Sequence, residues 1–364
     1  MFTMAPKISA SPEDGFSIVE ALVALVLTLL IVATALWLLA TDTALAESVP
    51  HAVDLQQRAR LALSLVARDL AAAGSGPAYG RLAGPLARAL PAVVPRRIGL
   101  TGSDSFTTVR SDALTVLWSP LPGLATETTM AITGSAPVTA VKNLQNCEGV
   151  PVCGLADGMT VLAYDDSGRH GLYAVTAVSG TDATLRSLQP SPPSFARGVV
   201  LLPVESRTYV FDRPARQLRA YDGYLSDAVV IDDVVGMEVA YVGEGTPPTA
   251  PKPELGTANC LFDAVGNPIA SLATLPPAGD SLAPLPLEMF ADGPWCGEGD
   301  RRFDVDLMRV RAVRIRLRMQ AAVDQLRGTG IDFIRPGTRL RPLGTVADFT
   351  LTTEVTPWNL NVGR

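Results

Sequence analysis

The sequence predicts an α+β protein in which one long N-terminal helix, transmembrane and then amphipathic, packs on a C-terminal domain of antiparallel β-sheet. Three observations predict it. Residues 15–41, GFSIVEALVALVLTLLIVATALWLLAT, form an apolar run broken by one carboxylate, Glu20. Residues 55–74, LQQRARLALSLVARDLAAAG, repeat apolar side chains at helical spacing. Beyond residue 105 the period changes to two, in short β-branched segments separated by turn signals such as DDSGRHG and SGTD.

Residues 16–41 are long enough to span a bilayer, since ~20 apolar residues at ~1.5 Å rise each cross ~30 Å of hydrocarbon. The plainest reading is a single-pass anchor. It leaves Glu20 unexplained, because a carboxylate costs ~2.5 to 3.5 kcal/mol near the bilayer centre and less toward the interface. A secretory signal cut after Ala46, with Ala44 and Ala46 as its small residues, calls for an apolar region of only ~7 to 15 residues. Residues 42–74 continue the helix. Pro50 is the one proline between residues 16 and 74, and is expected to kink the helix or restart it after Ser48. Leu55, Ala59, Ala62, Leu63, Val66, Leu70 and Ala73 share one face at ~100° per residue and are expected to pack on the β domain. Leu61 and Leu65 lie off that face, open to solvent or to a neighbouring helix. Gly74 and Gly76, with Pro77 beyond, end the helix.

Residues 75–105, rich in Gly, Pro and Ala, read as a linker with a short helix at 82–90. The β-rich domain follows at 106–364, with strands expected at 113–118, 160–164, 172–178, 183–188, 199–202, 206–211 and 217–221. Residues 229–243 end in an alternating strand. In 310–319, VRAVRIRLRM, Val313, Ile315, Leu317 and Met319 take one side and Arg314, Arg316 and Arg318 the other; the arginine side is expected to be a solvated face rather than a ligand site. Between these strands, residues 244–300 read as a Pro- and Gly-rich insertion that builds no core by itself. Residues 346–356 form a last strand.

The 364 residues carry a net charge of -6, which is no footprint for nucleic acid, and no nucleic-acid partner is expected. All four cysteines, Cys147, Cys153, Cys260 and Cys296, follow the apolar run. An even count in an oxidising compartment suggests two disulfides with three possible connectivities. CEGVPVC reads as a small turn-rich loop, which favours Cys147 with Cys153 and Cys260 with Cys296. No paired CxxC accompanies the histidines His51 and His170, which argues against zinc, and neither histidine has an evident Ser or Cys partner. Asp165 with Asp166, or Asp300, Asp304 and Asp306, match no EF-hand spacing and read as solvated turns and strand faces. No metal, no cofactor and no enzymatic activity are expected; a single-pass membrane enzyme or receptor lacks its site.

Gly15 followed by Phe16, Ser17, Ile18, Val19 and Glu20, then ALVALVL, resembles the type III signal of type IV prepilins and type II secretion pseudopilins. The resemblance implies that residues 1–15 are a leader removed by a membrane prepilin peptidase, which also methylates the new N-terminus at Phe16. Glu20 is then the fifth mature residue, the position that the family pairs with the N-terminal ammonium of a neighbouring subunit. The leader departs from the pattern, with Lys7 against Glu13 and Asp14 where family leaders are basic near the glycine. The later order, ARDLAAAG, SDALTVLW, GMTVLAYDD, SRTYVFDRPARQLRAYDG, VGMEVAYVG and VRAVRIRLRM, is similar to PilW-type minor pilins, and more distantly to J-type pseudopilins of type II secretion. The PilW resemblance implies a structural subunit of the initiation or tip complex that primes pilus assembly. Its partners are then the major pilin, other minor pilins and the inner-membrane assembly platform. The chain would begin as a single-pass inner-membrane protein with a periplasmic C-terminal domain and end in the pilus or at the cell surface.

Overall fold

The computed structural model describes residues 17–75, 91–120, 126–133, 138–143, 152, 154–164, 170–180, 182–189, 192–248, 256, 258–268, 272–276, 282–296, 302–340 and 342–361. The expectations on Gly15, Phe16, Cys147, Cys153, Asp165, Asp166, Asp300 and the helix at 82–90 fall outside these residues.

One helix stands against antiparallel sheet, as the α+β pattern predicts. Helix α1 (Ile18–Ala72) runs 55 residues, about 80 Å at ~1.5 Å per residue. It passes through Pro50 without restarting. Its two halves meet different surroundings. Residues 18–40 are all exposed. From Thr41 one stripe turns inward: Thr41, Ala44 and Ala52 are half-buried, and Ser48, Leu55, Ala59, Ala62, Leu63, Val66 and Leu70 are buried. The stripe contains the face that the periodicity marks out. Leu61, off it, is 62% exposed, and Leu65 is half-buried. The helix ends as expected at Gly74, whose φ of 76° suits glycine. The Gly74 amide donates to the Leu117 carbonyl at 3.0 Å, handing the chain to the sheet.

The stripe packs on two sheets. The first orders β1 (Val93–Val94), β2 (Ala113–Trp118), β9 (Glu205–Asp212), β10 (Gln217–Tyr221) and β11 (Asp227–Asp232) side by side. The second orders β13 (Leu282–Leu285), β12 (Val234–Glu244), β16 (Val310–Met319) and β17 (Phe349–Val355). Leu114, Val116 and Tyr209 from the first sheet and Val239, Tyr241, Val313, Ile315 and Leu317 from the second share one core with the helix. Val93 and Val94 pair with Thr115 and Val116, so the stretch read as linker supplies an edge strand.

Two features depart from the sequence reading. Trp118 and Glu205 are register partners, and the chain between them leaves the sheet and returns at one point. It forms a closed barrel of β3 (Thr126–Thr128), β4 (Val138–Asn143), β7 (Asp182–Ser187), β6 (His170–Ser179), β5 (Thr160–Tyr164) and β8 (Val200–Pro203), in that order. Val161, Tyr173, Val175, Leu185 and Leu201 fill a second core. Strands β5 to β8 were expected and β3 and β4 were not; closure depends on β3 meeting β8 across the chain between them, which no local pattern encodes. The Pro- and Gly-rich insertion also reaches the main core, through Leu261, Phe262, Leu285, Met289, Phe290 and Cys296. Three devices hold it there: β13 pairs with β12, Phe290 meets the Tyr241 ring edge-on at 5.2 Å, and Cys260 is bridged to Cys296.

The molecule has two ends. Asp233, which precedes β12, meets Arg58 at 3.3 Å, and Asn359, which follows β17, donates to the Ala73 carbonyl at 3.4 Å. The second sheet therefore runs beside the latter half of α1. The barrel departs at the far end, where the Ser119 amide donates to the Ser75 carbonyl at 2.8 Å.

A charged residue pins helix to sheet. Asp69, 3% exposed, lies within the apolar stripe. It accepts from the Tyr209 hydroxyl at 2.6 Å and from Arg207 Nη1 at 3.1 Å, both on β9. Burial pushes the Tyr209 phenol up, and the adjoining Asp69 carboxylate pushes it further. Removing one partner of such a contact strands the other without water. Asp69→Ala should lower stability by about 2 to 3 kcal/mol, read as a shift in the urea unfolding midpoint of detergent-solubilised protein, because Arg207 retains some solvent. A change within about 0.5 kcal/mol would show that the apolar stripe alone sets the docking.

Candidate functional site

The site that the sequence singles out is the head of α1. Ser17 and Glu20 cap it reciprocally: the Val19 amide donates to Ser17 Oγ at 3.3 Å, and the Ser17 amide donates to Glu20 Oε2 at 3.2 Å. Between residues 18 and 41 Glu20 is the sole ionisable residue. The threonine hydroxyls in that half are already satisfied by their own helix, Thr28 at the Ala24 carbonyl, Thr34 at Ile31 and Thr41 at Trp37. The half is long and apolar enough to cross a membrane. Glu20 thus presents a carboxylate acceptor at the helix head.

Cys260 and Cys296 form the expected disulfide, with Cα atoms 5.2 Å apart.

Asp304 and Asp306 behave differently from the solvated turns and strand faces expected of them. Asp304 and Asp306 are buried, at 0% and 4% exposure, and Asp292 completes a trio whose ligand oxygens all lie within 4.8 Å of one another. Asp304 caps the short turn Val305–Arg309, accepting from the Asp306 amide at 2.9 Å and the Gly293 amide at 2.6 Å. Asp306 Oδ1 lies 2.7 Å from Nε of Arg309, which is itself fully buried. Arg309 Nη1 in turn donates to the Ala273 carbonyl at 2.8 Å, so the pair fastens the insertion to the start of β16. Asp306 and Arg309 thus face one another, and Asp304 caps the turn that carries them both. Burial pushes the Asp306 carboxyl up to about 7, with Asp304 and Asp292 adding to the shift and Arg309 opposing it.

Other candidates resolve into structure. The arginine face of β16 is paired across strands, Arg314 with Glu354 at 2.7 Å, Arg316 with Glu238 at 3.6 Å and Arg318 with Asp348 at 3.0 Å. An open depression beside β9 and β10 has its charges matched, Arg97 and Arg219 on Asp227 and Arg110 and Arg213 on Asp112. His51 is exposed on α1, and His170 begins β6 with its ring 6.0 Å from Phe303.

Comparison with protein-family models, with curated proteins and with solved structures returns no match. The layout itself, a long apolar N-terminal helix continuing without a break into a β-rich domain, is compatible with that of pilins.

The Asp306 shift sets a pH dependence. The folded carboxyl keeps its proton to about pH 7, whereas the unfolded one releases it near 3.8. Between those values the folded state binds more protons, so stability falls as pH rises. Asp306→Asn should flatten that part of the decline, seen in melting temperatures taken from about pH 4 to about pH 7. An unchanged slope would assign the decline to other groups.

Proposed function

We propose that this chain is a structural minor pilin of the PilW type, made as a prepilin in the inner membrane and incorporated into a type IV pilus. Prepilin peptidase cuts between Gly15 and Phe16 and methylates Phe16. The assembly platform then moves the subunit into an initiation or tip complex with the major pilin and other minor pilins. The observation that carries the reading is the lone carboxylate at the head of an otherwise apolar, unburied half-helix.

In that role Glu20 holds its own helix start through the Ser17 amide until a neighbour's methylated ammonium approaches. Two charges that are each costly in hydrocarbon then offset one another and fix the axial register of adjacent helices. Leu61, exposed on α1, adds apolar surface for a packed neighbour.

Intact-mass measurement of the membrane-extracted protein should give a chain beginning at Phe16 with one added methyl group; a start at Met1 or Glu47 would overturn the processing step. Two substitutions then separate capping from pairing. Glu20→Gln keeps the reciprocal cap but not the charge, while Glu20→Ala loses both. Each should be cleaved and inserted normally. Each should also be excluded from filaments, because the neighbour's ammonium loses about 3 to 5 kcal/mol of compensation. Filaments that admit Glu20→Gln but not Glu20→Ala would reduce Glu20 to a helix cap.

A further inference from the structure

The connection between β16 and β17, residues 320–348, comes back to α1 where the apolar half ends. Arg339 Nη2 lies 3.3 Å from Glu47 Oε2. The backbone closes on the helix at Gly344, where an added Cβ would sit 3.1 Å from the Ala44 carbonyl oxygen. Ala44 and Glu47 lie only ~5 and ~9 Å beyond Thr41 along the axis. The connection is built, not slack: Leu326 and Val346 are buried in the main core, Gln320 Nε2 donates to the Arg335 carbonyl at 2.9 Å, and Arg318 Nη2 donates to that of Asp332 at 3.1 Å.

This fixed connection nevertheless holds large apolar side chains in the open. Ile331 is 97% exposed and Leu340 87%, with Ile334 and Leu343 about half exposed beside them. Cations stand among them: the described part of the connection carries Arg335 and Arg339 against Asp332, in a chain whose net charge is -6. Asp42 and Glu47 are the acids of α1 at this level, and Arg339 takes up Glu47. Isolated apolar side chains set among arginines suit a bilayer interface, where apolar groups enter the acyl boundary and guanidinium groups meet phosphate.

We propose that residues 328–340 and 342–344 rest on the headgroup layer of the membrane that α1 crosses, with Ile331 and Leu340 entering it and Arg335 meeting anionic lipid. The occupant is an anionic bilayer surface. The proposal rests on residues 18–41 being the span. Lipid is favoured over a second protein because of the loop's level on α1, where the exposed Arg335 follows Ile331 and Ile334 and can meet the headgroups they approach. Contact there holds the domain upright on the membrane and fixes the rotation of α1 before the subunit is extracted.

The test places p-benzoylphenylalanine singly at Ile331, Leu340, Val26 or Met130 of the full chain. The protein is reconstituted in vesicles of phosphatidylglycerol and phosphatidylcholine, and the adducts are identified by mass after irradiation. Val26 lies in the apolar half, and the exposed Met130 lies in the barrel region at the opposite end. Lipid adducts are expected at 331, 340 and 26 and not at 130. Those at 331 and 340 should fall several-fold in pure phosphatidylcholine or at about 1 M salt, where charges are screened beyond ~3 Å, while that at 26 persists. Adducts of 331 and 340 to a second copy of the chain, or no adducts there while 26 is labelled, overturn the proposal. Lipid adducts at 130 as well would show a domain lying flat and overturn it too. Labelling at 331 and 340 that ignores headgroup charge overturns the anionic recognition. No lipid adduct at 26 removes the span itself, a failure distinct from the others.

Discussion

Among the described residues nothing covers the first half of α1, and the rest of the molecule is arranged around that fact. Residues 18–40 are apolar and exposed along every face, so their cover has to come from lipid or from neighbouring helices. Since α1 passes Pro50 without restarting, the domain is joined to this half by continuous helix. Whatever fixes the domain on the second half of α1 also fixes it relative to the apolar half. The apolar stripe does this by area, and Asp69 adds direction by reaching Tyr209 and Arg207.

Charge handling elsewhere serves the same rigidity. Arg309 and Asp306 are buried together at the point where a Pro-rich insertion must be tied to β16. Gly243 permits the approach, because a Cβ there would overlap the Arg309 carbonyl. The arginines on the outer face of β16 meet carboxylates on the flanking strands at register positions, Arg316 opposite Glu238 and Arg314 opposite Glu354. Charged clusters that suggest chemistry in a linear sequence are here consumed by partners.

The barrel sits at the end away from the apolar half, while the β16–β17 connection sits at its edge.

The sequence by itself determined the helix, the stripe that packs, the alternation of β16, the turn at Gly74 and the lone Glu20. Each is a local pattern whose period matches a backbone geometry. Only the tertiary structure decided that β3 to β8 close into a barrel, that Asp69 faces inward, that Asp304 and Asp306 are buried, and that the connection carrying Ile331 and Leu340 lies beside Ala44. The physical reason is the same in each case. Periodicity reports which face of an element is apolar, whereas strand partners, the burial of a charge and the place of a loop depend on residues far away in the chain, brought near only when the core closes.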